Sequence, residues 1–248
     1  MKKIFFTLLF CAAYSISLAN PVAMMGEQKV VSPLSGDTYL FRYNSDHPSG
    51  TDYAYINSGA GSAQGTISGA TVGSTIVHSG TYSLLTDALN ERILWSSGVS
   101  GYINTSEGSL EIWVYVNVAE ITGSVSFFEI YPVATGGNNM IRSIMNTDGT
   151  VYFRHEGNNV VVSMSSAAVI PPQTWTRIRY RWSVSGNVIG IQVGETGDWG
   201  DDADADAVTA FSESPDTFAI GEYTYNNVAD HELYVDDFEV INGYNTFN

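Results

Sequence analysis

From Ala70 onward the chain is a succession of short segments in which apolar side chains recur at every second position. They include "SLEIWVYVN", "VSFFEIYPV", "NMIRSIMN", "VYFRHEG", "WTRIRYRW", "NVIGIQVG" and "HELYVDDFEV", with Gly-, Asn- and Ser-rich breaks between them. A period of two sends successive side chains to opposite faces of a strand. No stretch of about 11 residues sustains the 3.6-residue period of an amphipathic helix. With no helices to cover a sheet, two antiparallel sheets must bury their apolar faces against each other. The expected fold is all-β, a two-sheet antiparallel β-sandwich.

The first residues read differently. Met1-Lys2-Lys3 is a basic start, Ile4 to Ala13 is mostly apolar, and Ser17-Leu18-Ala19 offers the small residues that a signal peptidase reads. Residues 1–19 are therefore expected to be a signal peptide cleaved before Asn20, and the protein to be secreted, extracellular or periplasmic. The only cysteine, Cys11, would leave with that leader, so no disulfide staples the product. After Ala19 no apolar run reaches the roughly 18 residues that a membrane span needs. Residues 20–67 mix turn-rich pieces with one strand-like run, "TYLFRYN", and are expected to form an extension packed on a sandwich of residues 68–248. A monomer is expected.

Loss of Lys2 and Lys3 with the leader turns the formal charge of −16 into −18, from 26 acids and 8 bases. Such a surface repels nucleic acid and anionic membranes, and neither is an expected partner. Against that background Arg142, Arg154, Arg177, Arg179 and Arg181 are concentrated in one part of the chain. Strand alternation makes Ile178, Tyr180 and Trp182 core residues and turns Arg177, Arg179 and Arg181 outward. The same parity turns out Glu111, Trp113 and Tyr115, then Phe127, Glu129 and Tyr131, then Tyr152 and Arg154, and Gln192. If these strands share a sheet, rings and guanidinium groups line one groove. Rings offer flat apolar faces to sugars, and guanidinium forks match carboxylate or sulfate oxygens. The plain alternative is cross-strand pairing of the arginines with Glu111 and Glu129.

The pieces "TIVHSGTYSL", "GSLEIWVYV", "WTRIRYRW" and "LYVDDFEV" together resemble the laminin G-like or concanavalin A-like jelly roll of bacterial secreted proteins, over residues 68 to 242. That superfamily holds lectin-like modules, glycoside hydrolases and polysaccharide lyases, ulvan lyases among them, with the ligand lying across the concave sheet. Because the expected groove is rich in arginine, an acidic, uronate-containing polysaccharide is the expected partner, and the resemblance to ulvan lyases brings in sulfated ulvan-like polymers. The paired-glutamate motif E-x-D-x-E of its hydrolases is missing, and so are the common alginate-lyase motifs.

β-Elimination needs a group to neutralise the uronate carboxylate, a base for the proton beside it and an acid for the leaving oxygen. Tyr152, Arg142, Arg179 and Gln192 are the expected catalytic set, with His155 as partner base. Trp113, Tyr115, Arg154, Arg177 and Arg181 are expected to bind substrate. His47, His78, His231, Tyr223 and Tyr225 stand in reserve. A non-catalytic lectin is the alternative, and a hydrolase using Glu111 and Glu129 the third. No cofactor is expected for the chemistry. In related carbohydrate-binding jelly rolls an aspartate at the end of a "YVDDFEV"-like strand helps hold calcium, so Asp237 and then Asp236 are the expected ligands of a structural Ca2+. The run from Asp202 through Asp204 and Asp206 to Glu213 has EF-hand-like spacing, but Ala207 replaces the glycine that the turn needs. A solvated acidic loop is expected there.

Overall fold

The structure is a computed structural model that describes residues 39–43, 53–55, 64–96, 99, 103–117, 123–132, 139–194, 200–202, 207–221 and 232–243. The expected signal peptide, His47, Asp204, Asp206, Tyr223, Tyr225 and His231 lie outside the described residues. No helix occurs among those described. The strands are β1 Tyr39–Tyr43, β2 Tyr53–Tyr55, β3 Gln64–Ser68, β4 Thr71–Gly73, β5 Ser83–Thr86, β6 Arg92–Trp95, β7 Glu107–Val116 and β8 Val125–Pro132. They continue as β9 Met140–Met145, β10 Thr150–Gly157, β11 Val160–Val169, β12 Thr176–Ser183, β13 Val188–Val193, β14 Gly200–Asp202, β15 Pro215–Gly221 and β16 Leu233–Asn242.

These strands form two antiparallel sheets of eight. Sheet A runs β14-β13-β12-β7-β16-β5-β4, with β1 also paired to β16, and sheet B runs β11-β10-β9-β8-β15-β6-β3-β2. The fold is thus the expected two-sheet sandwich. Three strands from residues 39–68 are built into it: β1 joins sheet A, and β2 and β3 extend sheet B.

Inner faces follow from the alternation. Leu110, Ile112 and Val114 of β7, Ile178, Tyr180 and Trp182 of β12, and Ile189 and Ile191 of β13 are buried. From sheet B they meet Phe128, Ile130, Ile141, Val151, Phe153, Phe218 and Ile220. Apolar burial of this extent is the main term favouring the fold. Aromatic side chains interdigitate between the sheets, with the Tyr180 ring 5.0 Å from both Phe128 and Phe153. The Tyr180 hydroxyl shares a hydrogen bond of 2.7 Å with Ser143 across the core. This bond meets the polar requirement of a phenol whose burial pushes its pKa far up.

Three details depart from the sequence reading. "STIVHSGTYSLL" is not one strand: residues 74–82 leave the sheet between β4 and β5, with Gly80 at φ 65°. β8 is buried on both faces, so Glu129 and Tyr131 point outward yet are covered, whereas Phe127, expected outward, joins the core cluster at an irregularity of the strand. A register shift between Ser126 and Phe128 gives β8 an irregularity beside β9. In β16 the ladder with β7 shifts between Asp236 and Glu239, and Asp237 sits at φ 44°. There the partner on the other side of β16 changes from β5, at Leu233 to Val235, to β1, at Phe238 to Ile241. The irregularity therefore lies where two short strands abut end to end.

Candidate functional site

Sheet membership divides the outward residues into two groups on opposite sides of the molecule. Arg177, Arg179, Arg181, Glu111, Trp113, Tyr115 and Gln192 belong to β12, β7 and β13, on the outer face of sheet A. Arg142, Tyr152 and Arg154 belong to β9 and β10, on the outer face of sheet B. His155 belongs to neither face. The expected catalytic set therefore does not assemble: Arg179 and Gln192 are separated by the core from Arg142 and Tyr152. The parity within each strand is as expected, but one groove containing all of these residues does not form.

On sheet A, alternation places Glu111 directly across from Arg179, and Gln192 across from Arg179 on the far side. Arg179 Nε donates to Glu111 Oε2 at 2.9 Å and its Nη1 to Gln192 Oε1 at 3.2 Å. Arg177 Nη1 is 4.0 Å from the same Glu111 oxygen. Arg181 is buried, facing Ser109 and Gly190. The arginine row of β12 is thus engaged with its own neighbours, as in the cross-strand pairing alternative. Trp113 is partnered as well. The His78 imidazole stacks on it from the β16 side, centroids 3.7 Å apart and 20° from parallel, while Arg177 from β12 lies 5.8 Å from the ring centroid. Tyr115 packs against Trp175 and, edge-on, against Tyr234. His78 thus takes the stacking place on Trp113 that a sugar would need, while Trp113 and Tyr115 both stay partly exposed.

His78 reaches Trp113 because residues 74–82 leave the sheet over the irregularity in β16. The Asp236 carboxylate accepts backbone N–H bonds from His78 (3.2 Å), Ser79 (3.1 Å) and Asp237 (2.9 Å). Asp237 Oδ2 accepts the Ser79 hydroxyl at 2.7 Å and lies 2.9 Å from His78 Nδ1. Burial, followed by the adjacent Asp237 charge, pushes the Asp236 pKa up to about 7, against the backbone N–H bonds that favour its ionised form. Ligand atoms of His78, Asp236 and Asp237 lie within 4.8 Å of one another. Calcium, however, takes six to eight oxygens. Here an imidazole stands in the set, and the protein's own donors already bond both oxygens of Asp236 and one of Asp237. The residues fit a hydrogen-bonded clip better than the expected calcium site.

On sheet B the outward row across four strands reads Ala219, Glu129, Arg142, Arg154, each directly across from the next. Tyr152 is the next outward residue on β10 before Arg154, and Glu156 the next after it. Arg154 Nη2 bonds Glu156 Oε2 at 2.5 Å. Glu129 is 0% exposed, with Ser126 Oγ donating to its Oε1 at 3.2 Å. Arg142, Tyr152 and Arg154 are partly exposed. This strip unites two guanidiniums and a phenol on adjoining strands, the equipment expected for a uronate.

His155 points the other way, into the core, at 0% exposure. Its Nε2–H donates to the Thr105 carbonyl at 2.9 Å, and Nδ1 has no partner among the described residues. Burial pushes its pKa down to about 4, opposed by the Thr105 bond. The ring is a neutral core group, so it is no partner base. Alternation along β10 puts it on the Phe153 side, which faces the core.

No protein-family model matches the sequence, and no curated protein does. Solved structures do. The endo-β-1,4-glucuronan lyase of the fungus Trichoderma reesei superposes with a TM-score of 0.55 at 15% identity, covering 84% of this chain and 96% of that one. Domain 4 of an extracellular arabinanase from Geobacillus stearothermophilus, in complex with arabinotriose, gives 0.59 at 14% identity, covering 84% and 94%. The sialidase of Trypanosoma rangeli gives 0.59 at 9% identity, covering 86% of this chain but 32% of its own. What this chain shares with a lyase, a carbohydrate-bound domain and part of a sialidase is the β-sandwich itself.

Proposed function

We propose that the protein is a secreted polysaccharide lyase that cleaves an acidic, uronate-containing polysaccharide, ulvan-like polymers included, by β-elimination on the outer face of sheet B. The observation that carries this reading is the placement of Arg142 and Arg154 side by side on β9 and β10, with Tyr152 the neighbouring outward residue. The guanidiniums neutralise the uronate carboxylate, which makes the hydrogen on the adjoining carbon acidic. Tyr152 is the group that moves the proton. As that C–H bond breaks, its electron pair forms the ring double bond, and the bond to the glycosidic oxygen breaks. The proton taken from carbon passes through the Tyr152 hydroxyl to the departing oxygen, so no proton is gained or lost overall. Likeness in fold to a glucuronan lyase, over 84% of this chain and 96% of that one, supports the class.

A second reading, a non-catalytic carbohydrate-binding protein, is favoured by the likeness to the arabinotriose-bound domain. A hydrolase using Glu111 and Glu129 is disfavoured because these carboxylates project from opposite sheets.

The deciding assay incubates the protein with a panel of acidic polysaccharides and follows ultraviolet absorbance of unsaturated ends. Wild type is expected to produce them. Tyr152→Phe keeps the ring and removes the hydroxyl, so turnover should fall by roughly two to four powers of ten while polymer affinity changes little. A binding protein yields no absorbing product from wild type. Equal turnover by wild type and Tyr152→Phe would remove Tyr152 from the reaction.

A further inference from the structure

Glu129 is the feature that the reading above leaves unused. It is the outward residue of a strand buried on both sides and has no exposed surface of its own. A carboxylate taken wholly out of water is strongly disfavoured unless a positive charge accompanies it. Ser126 supplies one neutral donor. Of the two flanking strands, β15 places Ala219 directly across from it and β9 places Arg142. One position further along the same row, Arg154 is already held by a second shielded carboxylate, Glu156, which is 6% exposed. The row thus consists of two arginines, each beside a glutamate withdrawn from solvent. A guanidinium on a flexible side chain gains directional precision when a fixed carboxylate engages part of its fork and leaves the rest to the ligand.

We infer that Glu129 is a positioning residue, which aims the Arg142 guanidinium at the substrate's carboxylate as Glu156 holds that of Arg154. This inference rests on the lyase reading of the sheet B face. Glu129 does not touch the sugar; its charge acts through Arg142. Its removal should therefore matter only for a substrate whose carboxylate Arg142 must meet.

The test compares a polyuronate with the same polymer methyl-esterified, using wild type, Glu129→Gln, Glu129→Asp and Arg142→Ala. Glu129→Gln keeps the shape of the side chain and an acceptor for Ser126, so a packing role would survive it. On the free acid, kcat/KM should fall roughly 10- to 100-fold for Glu129→Gln and at least as far for Arg142→Ala. On the ester, both losses should shrink below about threefold. Equal losses on acid and ester, or no loss on the acid, would overturn the inference. If Glu129→Gln does not fold, Glu129→Asp retains the charge on a shorter arm. It should show a smaller loss confined to the acid, and a uniform loss would count against positioning. If wild type cleaves neither polymer, the lyase reading fails, and Glu129 is judged by calorimetric affinity for uronate oligosaccharides and their esters. Weakening of the free acid alone by Glu129→Gln supports positioning, whereas unchanged affinity, or no binding by wild type, overturns it.

Discussion

His155 shows how a single position can turn from chemistry to structure. Its folded pKa of about 4 is below the usual histidine value near 6.5. Between these values the unfolded chain takes up a proton that the folded chain refuses. The contribution of His155 to stability is complete above about pH 6.5 and is lost as pH falls toward 4, to a limit of about 3 kcal/mol. Asp236 works in the opposite sense: its raised pKa means that the folded chain holds the extra proton, so its effect favours stability at lower pH. Denaturant unfolding of His155→Gln beside wild type, at pH 7 and pH 4.5, isolates the histidine because Asp236 is common to both. The variant should lose less stability on acidification; parallel losses would contradict the burial of a neutral ring. The three arginines of β12 teach a related lesson. Spacing disclosed that they share a side, but of the two partners of Arg179 only Gln192 comes from the next strand, whereas Glu111 comes from β7, 68 residues away.

At the level of elements, the face of each residue was legible and the company it keeps was not. Period-two alternation fixes which side chains enter the core because burial of one face is what makes a strand form there. It says nothing about which of two sheets the strand joins. The chain changes sheets between β7 and β8 and again between β11 and β12, so Arg142 and Arg154 come to lie opposite Arg179 although their parity matches. The abutment of β1 and β5 along β16 was equally hidden, since it depends on pairings about 200 and about 150 residues apart. "YVDDFEV" together with "VHSG" held the signal for it. There Asp237 combines a left-handed backbone with two side-chain bonds, so substitutions can separate strain from bonding. Asp237→Ala should be the more damaging change and Asp237→Gly the milder by about 1 kcal/mol, because glycine adopts that backbone without cost. Thermal unfolding of wild type should be unmoved by chelator or added calcium. A marked rise in Tm with calcium would show that an ion displaces the hydrogen-bonded clip.

For the molecule as a whole, net charge sets the long-range field whatever the few arginines do locally. A chain with a formal charge of −16 repels an anionic polymer at distances beyond direct contact. Raising ionic strength from about 10 to 150 mM shortens the Debye length from about 30 to 8 Å and should first raise kcat/KM on a polyuronate. A steady decline from the lowest salt would instead indicate attraction dominated by a basic groove. The position of β16 reaches further than the site. In sheet A it lies between β7 and β5, and it is the last of the described strands to leave the ribosome. Until it arrives, β5 and β7 have no common neighbour, β1 lacks the one partner it has among the described strands, and the apolar inner face of sheet A is divided. Sheet A is therefore joined into one piece only after synthesis has passed residue 242, whereas the consecutive strands β8 to β11 of sheet B can pair well before that.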